Sequence, residues 1–216
     1  MALSKVNFNS MNVTPAASKA IKFNSSNNGL ETGDMGGSLV LLSTQTASSS
    51  ATIDFTSDID STYKEYIFKF INIHPETYQA RFSFQVDTGT NTNYNQAVTT
   101  TWFYAYHQED GNSGSQAYFG DSDLANSTSF KNITWNVDNS NDDNVGGSLH
   151  LFDPSNTTFV KHFMANTQFN YGSSNESTEN VYSAGYFNTT TAITRVRFKF
   201  TSGDIDSGTI KMYGVS

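Results

Sequence analysis

The stretch 192–215, AITRVRFKFTSGDIDSGTIKMYGV, decides the fold class of this chain. In its first half, Val196, Phe198 and Phe200 alternate with basic residues, so the apolar side chains fall on one face of a strand. In its second half, apolar residues that begin with Ile210 alternate with more polar neighbours. A segment rich in Gly, Asp and Ser separates the halves. The pattern predicts two strands joined by a short turn, as in a terminal β-hairpin.

The same two-residue period continues through the chain from Gly37 onward. It is clearest in EYIFKFINI (65–73) and ARFSFQV (80–86), and the segments between such runs are rich in turn-forming residues. The run GSLVLLST (37–44) is continuously apolar, which predicts a strand buried on both faces. Because no extended 3.6-residue period is present, we predict an all-β antiparallel sandwich or barrel over residues 37–216.

Residues 1–36 differ from the rest, since their apolar residues are scattered and follow no sustained period. We interpret this segment as an irregular N-terminal arm with one short strand at Lys19–Phe23. Chain termini usually fray unless something holds them. We therefore expect the arm to pack on another molecule, for which a neighbouring subunit is a candidate.

Composition excludes several classes of protein. The chain has 12 basic and 20 acidic residues, a net charge of −8, which disfavours binding to nucleic acid or to an anionic lipid surface. It has no cysteine, which rules out disulfides, zinc–thiolate sites and thiol nucleophiles and favours assembly in a reducing cytoplasm. No signal peptide is readable at the start, and no apolar run approaches the length of a membrane span.

The sequence contains no readable catalytic motif. The four histidines belong to no HExxH pattern, and no G-x-S-x-G is present. The acidic pairs lie in predicted turns rather than across a groove, as glycoside cleavage would need. We therefore expect neither an enzyme nor a cofactor. Calcium stays open as an alternative, with Asp121 and Asp123, or Asp142, Asp143 and Asn144, as its oxygen ligands.

An aromatic row in TTTWFYAYHQ (99–108) is the main candidate for a binding surface. Trp102, Tyr104 and Tyr106 alternate along one predicted strand, so they share a face. Sugar-binding sandwiches use such rows to stack on the C–H faces of sugars, whereas aromatic residues in strands are more commonly part of the core. Both interpretations stay open, and Trp135 is a neighbour of this row in sequence terms only.

The basic residues Arg195, Arg197 and Lys199 fall together on the second face of the strand that opens the stretch 192–215. One interpretation is a solvated face that discourages pairing at a sheet edge. The other is a contact with an acidic partner surface.

Three segments resemble small structural proteins of tailed bacteriophages, particularly those of marine and cyanobacterial hosts. They are the opening MALSKVNFNSMNV (1–13), the segment LLSTQTASSSATIDFTSDIDSTYKEYIFKFINIHP (41–75) and the ending ITRVRFKFTSGDIDSGTIKMYGVS (193–216), which is similar to the closing hairpin of those proteins. The resemblance implies a β-sandwich of jelly-roll type that is often trimeric. It also implies an N-terminal arm that docks on the particle, here through Leu3, Val6, Phe8, Met11 and Val13.

The resemblance gives the expected function. We expect a non-enzymatic virion structural protein, assembled in the host cytoplasm, whose arm (1–36) binds capsid or tail proteins and whose sandwich (37–216) projects outward. A capsid decoration or head fibre and a tail fibre or tail appendage both fit this description. A carbohydrate-binding module for a host surface glycan is the alternative, and a polysaccharide depolymerase is a third hypothesis.

Overall fold

The computed structural model describes residues 19–26, 28–34, 39–172 and 176–215. The chain divides into two units, Met1–Ser38 together with Ser216, and Leu39–Val215, which are described separately below. The docking residues expected from the resemblance lie outside the described residues. They are Leu3, Val6, Phe8, Met11 and Val13.

The described part of the first unit is a two-stranded antiparallel sheet of β1 (Lys19–Phe23) and β2 (Leu30–Asp34). The strand predicted at Lys19–Phe23 is therefore confirmed with its bounds. In the turn, the backbone N–H of Asn24 donates to the carbonyl of Gly29 at 2.9 Å. Three apolar side chains of this sheet are exposed. They are Ile21, Phe23 and Leu30.

The second unit consists of two antiparallel sheets. In the described residues its strands are β3 (Leu39–Ser50), β4 (Ile53–Phe55), β5 (Glu65–Pro75), β6 (Phe82–Thr88), β7 (Val98–Gln108), β8 (Gly114–Tyr118), β9 (Lys131–Asn132), β10 (Val145–Phe152), β11 (Lys161–Tyr171), β12 (Ser177–Phe187), β13 (Ile193–Phe200) and β14 (Ile205–Val215). Eight strands pair in the order β3-β14-β5-β10-β11-β12-β7-β8, and four pair in the order β4-β13-β6-β9. A short 3₁₀ helix, Gly120–Ser122, follows β8.

The predicted all-β antiparallel sandwich is confirmed, because the two sheets pack face to face around one aromatic-rich core. The jelly-roll arrangement of the strands stays a prediction. No helix in the described ranges has the length and apolar character needed to cross a membrane.

The centre of the core is Phe198 on β13. Its ring lies 5.4 Å from the ring of Phe68 and 5.3 Å from that of Phe70, both on β5 of the opposite sheet. Within its own sheet it stacks on Phe82, with the centroids 5.8 Å apart. All four side chains are at most 3% exposed, so this cluster joins the two sheets through apolar contact alone.

The strands of the stretch 192–215 do not form a hairpin, so that part of the prediction is wrong. β13 pairs with β4 and β6, whereas β14 pairs with β3 and β5, so residues 201–204 cross from one sheet to the other. The alternation itself is as predicted, since Phe198 and Ile210 are both buried. Alternation fixes which face of a strand is apolar but not which strand it pairs with, and a short turn serves either connection.

The apolar run 37–44 also differs from its prediction, because β3 is an edge strand and not a buried one. Leu39, Val40 and Leu41 are 42%, 38% and 51% exposed. β3 pairs only with β14, and the register of that pair shifts between Met212 and Tyr213. An uninterrupted apolar run is therefore compatible with a half-covered edge as well as with a central strand.

The basic residues of β13 are engaged within the molecule. Arg197 donates two hydrogen bonds to the carboxylate of Asp54, at 2.7 and 2.6 Å, and its guanidinium lies 4.0 Å from the centre of the Tyr94 ring. Lys199 places its amine 4.6 Å from the centre of the Phe130 ring. Because β13 lies between β4 and β6, the interpretation of a face that protects a sheet edge is wrong.

Replacing Phe198 with Ala should lower the free energy of unfolding by roughly 3–5 kcal/mol, because it opens a cavity where the two sheets meet. The matched control is Phe159→Ala, since Phe159 is 67% exposed and should tolerate truncation with little change. Urea denaturation of both variants measures the difference. Equal losses in the two variants would contradict a core centred on Phe198.

Candidate ligand-binding site

A pocket of about 300 Å³ opens on the inner face of the eight-stranded sheet, across β7, β12 and β11. Its walls are mostly aromatic. They are formed by Trp102, Tyr104, Tyr106, Gln108, Phe119, Trp135, Tyr171, Ser177 and Glu179. Ligand pockets in proteins typically enclose roughly 300–1,000 Å³ and combine apolar walls with a few polar groups, so this pocket has a suitable size and composition.

The aromatic row of β7 lies in this pocket, on one face of the strand. Trp102 is fully buried, whereas Tyr104 and Tyr106 are half-buried. The rings of the two tyrosines stack with centroids 6.0 Å apart, and the Tyr106 hydroxyl lies 3.1 Å from that of Ser113. The members of the row therefore differ, since Trp102 belongs to the core whereas the half-buried Tyr104 and Tyr106 line the pocket.

Two further aromatic residues, Phe119 and Trp135, complete the wall, and both come from segments outside the sheets. Their rings meet edge to face with centroids 4.5 Å apart. Trp135 also lies 6.2 Å from Trp102, so the two tryptophans are neighbours in space. Sequence reasoning missed this contact because Trp135 follows the two-residue strand β9, where no periodicity indicates which way a side chain points.

Two cations lie against the tryptophan rings. The guanidinium of Arg81 is 3.5 Å from the centre of the Trp135 ring, and its Nε donates to Asn136 at 2.9 Å. The amine of Lys131 is 5.1 Å from the centre of the Trp102 ring and donates to the carbonyl of Ser122 at 2.7 Å. Burial lowers the pKa of Lys131 to about 8. Both cations thus have an aromatic contact and an oxygen acceptor.

Glu179 supplies the only charge among the described residues that line the pocket. It lies on β12 opposite Tyr106 in the strand register and is 6% exposed. No described residue donates a hydrogen bond to its carboxylate or pairs with it. Burial raises its pKa to about 7, because the charged form loses solvation that nothing in the described residues replaces.

The acidic pairs named for calcium lie elsewhere. Asp142, Asp143 and Asn144 line a polar pocket of about 360 Å³ together with His74 and Asp206. Burial, and then the charge of Asp138, raises the pKa of Asp143. In the other pair, Asp121 is exposed and Asp123 accepts a hydrogen bond from the Tyr118 hydroxyl. Across the described ranges, no group of three or more His, Asp or Glu side chains is arranged to hold a metal ion.

No family model, curated protein or solved structure matches this chain. The functional argument therefore depends on the geometry of the pocket and on the residues of the chain itself.

The stability of the protein should depend on pH through Glu179. Its folded-state pKa of about 7 lies above its ordinary value of 4.5, so the neutral form stabilises the fold below pH 4.5. That contribution is lost as the pH rises through 7. Glu179→Gln removes the titration and should raise the free energy of unfolding at pH 8 by up to about 3 kcal/mol relative to the wild type.

Denaturation curves between pH 4 and 8 test this expectation, with Asp121→Asn as the control because Asp121 is exposed. The difference between Glu179→Gln and the wild type should grow across the range, while the control follows the wild type. A constant difference would show that Glu179 titrates normally in the folded protein.

Proposed function

We propose that this protein binds a saccharide in the aromatic pocket and does not catalyse a reaction. The observation that carries the proposal is the wall of half-buried rings, Tyr104, Tyr106, Trp135 and Tyr171, beside a buried carboxylate. Aromatic faces suit the apolar C–H surface of a sugar ring, and Gln108, Ser177 and Glu179 offer hydrogen-bonding groups for its hydroxyls. The pocket thus combines stacking with polar recognition.

Binding is favoured over hydrolysis by the composition of the pocket. Most glycoside hydrolases place two carboxyl groups across the scissile bond, about 5–10 Å apart. Among the described lining residues, Glu179 is the one carboxylate. The pocket therefore supplies a single recognition group rather than an acid and base pair, and the depolymerase hypothesis would need a second carboxylate from outside this lining.

Tyr106→Ala should weaken saccharide binding by roughly tenfold or more, because it removes a stacking ring from the wall. Tyr182→Ala is the matched control, since Tyr182 lies on the opposite face of the sheet, 48% exposed and stacked on Phe103. Glycan-array screening followed by calorimetric titration of the best ligand measures both. Equal binding by the two variants would place the saccharide site elsewhere, and a cooperative melt establishes that each variant is folded.

The second candidate function, which is compatible with the first, is that of a virion structural protein anchored by its N-terminal segment. The resemblance of residues 1–13, 41–75 and 193–216 to small structural proteins of tailed bacteriophages supports it. The exposed apolar side chains of the β1–β2 sheet, Ile21 and Phe23 among them, support it further, since exposed apolar groups favour contact with a partner. The partner would be a capsid or tail protein, and a trimer is the oligomer that the resemblance implies.

The double variant Ile21→Ser and Phe23→Ser should reduce the amount of this protein recovered with purified particles by at least tenfold, because it removes the apolar contact. Phe159→Ser is the control, since Phe159 is 67% exposed, close to the 71% of Phe23, but belongs to the sandwich. Immunoblotting of particles from a complemented infection measures the recovery. Unchanged recovery of the double variant would exclude this sheet from the anchor.

A further inference from the structure

The carboxylate of Glu179 has no hydrogen-bonding or ionic partner among the described residues, so it is available to a ligand. It is 6% exposed, it faces the pocket, and no described side chain or backbone group satisfies it. Keeping a buried carboxylate ionised without a partner is costly, whereas pairing it with a cation or a donor offsets that cost. A ligand that brings a positive group to Glu179 therefore gains affinity that a neutral ligand does not.

Two further carboxylates belong to residues that adjoin the pocket lining along the chain. Glu109 and Glu176 are the chain neighbours of the lining residues Gln108 and Ser177, and the backbone N–H of Glu109 donates to the carbonyl of Glu176 at 2.8 Å. The charge of Glu109 is the main cause of a raised pKa at Glu176, so the two carboxylates repel each other. A positive ligand relieves this repulsion, whereas a negative one adds to it.

The cations of the protein itself do not fill this role. Arg81 and Lys131 lie against Trp135 and Trp102 and bond to oxygen acceptors there, and neither pairs with Glu179. Because the protein's own cations already occupy faces of the two tryptophans, a cationic group on the ligand is directed toward the tyrosines and Glu179.

We infer that the saccharide bound in this pocket is an amino sugar, with its ammonium group paired with the Glu179 carboxylate and its ring against Tyr104 and Tyr106. This inference rests on the proposed saccharide binding. The arrangement disfavours two related classes of ligand. N-acetylation removes the positive charge that would pair with Glu179, and a carboxylated sugar meets like charge at Glu179.

The test compares oligosaccharides that differ only at the amino group, in calorimetric titrations of the full chain at neutral pH. The probes are β-1,4-linked glucosamine oligomers, the same oligomers fully N-acetylated, and a carboxylated oligomer of matched length. The wild type should bind the amino form at least tenfold more tightly than the acetylated form and should not bind the carboxylated one. Glu179→Gln should lower affinity for the amino form to that for the acetylated form.

The outcomes separate this inference from the function on which it rests. If the amino and acetylated forms bind the wild type equally, or if the preference persists in Glu179→Gln, the inference is overturned while saccharide binding stands. If no oligomer on this panel or on a broad glycan array binds the wild type, both fail. The wild-type comparison decides the inference even if Glu179→Gln does not fold.

Discussion

The packing of one apolar sheet face against another is the interaction on which the rest of this structure depends. Phe198 from the four-stranded sheet inserts between Phe68 and Phe70 of the eight-stranded sheet, and all three rings are buried. Chains without cysteine have no covalent link between such layers, so apolar burial and aromatic contact hold them together. The positions of β7 and β12, and therefore the pocket, follow from this packing.

The pocket lies where irregular segments, rather than strands of the second sheet, cover the inner face of β7. On the inner face of β7, the residues that cover Trp102 are Phe119 and Trp135, which belong to neither sheet. The space beside these residues is a pocket with mostly aromatic walls. Trp102, Tyr104 and Tyr106 share one face of β7, which pairs with β12 along its whole length, so the aromatic surface is part of the sheet itself.

The charged groups that this protein removes from solvent are of two kinds, those with a partner in the molecule and those without one among the described residues. Arg197 is paired with Asp54, and Lys131 donates to a backbone carbonyl, so each buried cation has an acceptor within the molecule. Glu179 differs, because the described residues provide it with none. Glu179 lines an aromatic pocket, and an unpaired carboxylate in such a position is the arrangement expected where stability is given up for recognition.

The sequence by itself determined the fold class, the strand at Lys19–Phe23 and the shared face of Trp102, Tyr104 and Tyr106, because alternation along a strand is a local property of the chain. Only the tertiary structure decided strand pairing. It separated β13 from β14, placed the apolar β3 at an edge, and brought Trp135 and Glu179 to the aromatic row. These are contacts between residues far apart in sequence, and which strands pair is set by how two complete sheets bury their common face, which no local period encodes.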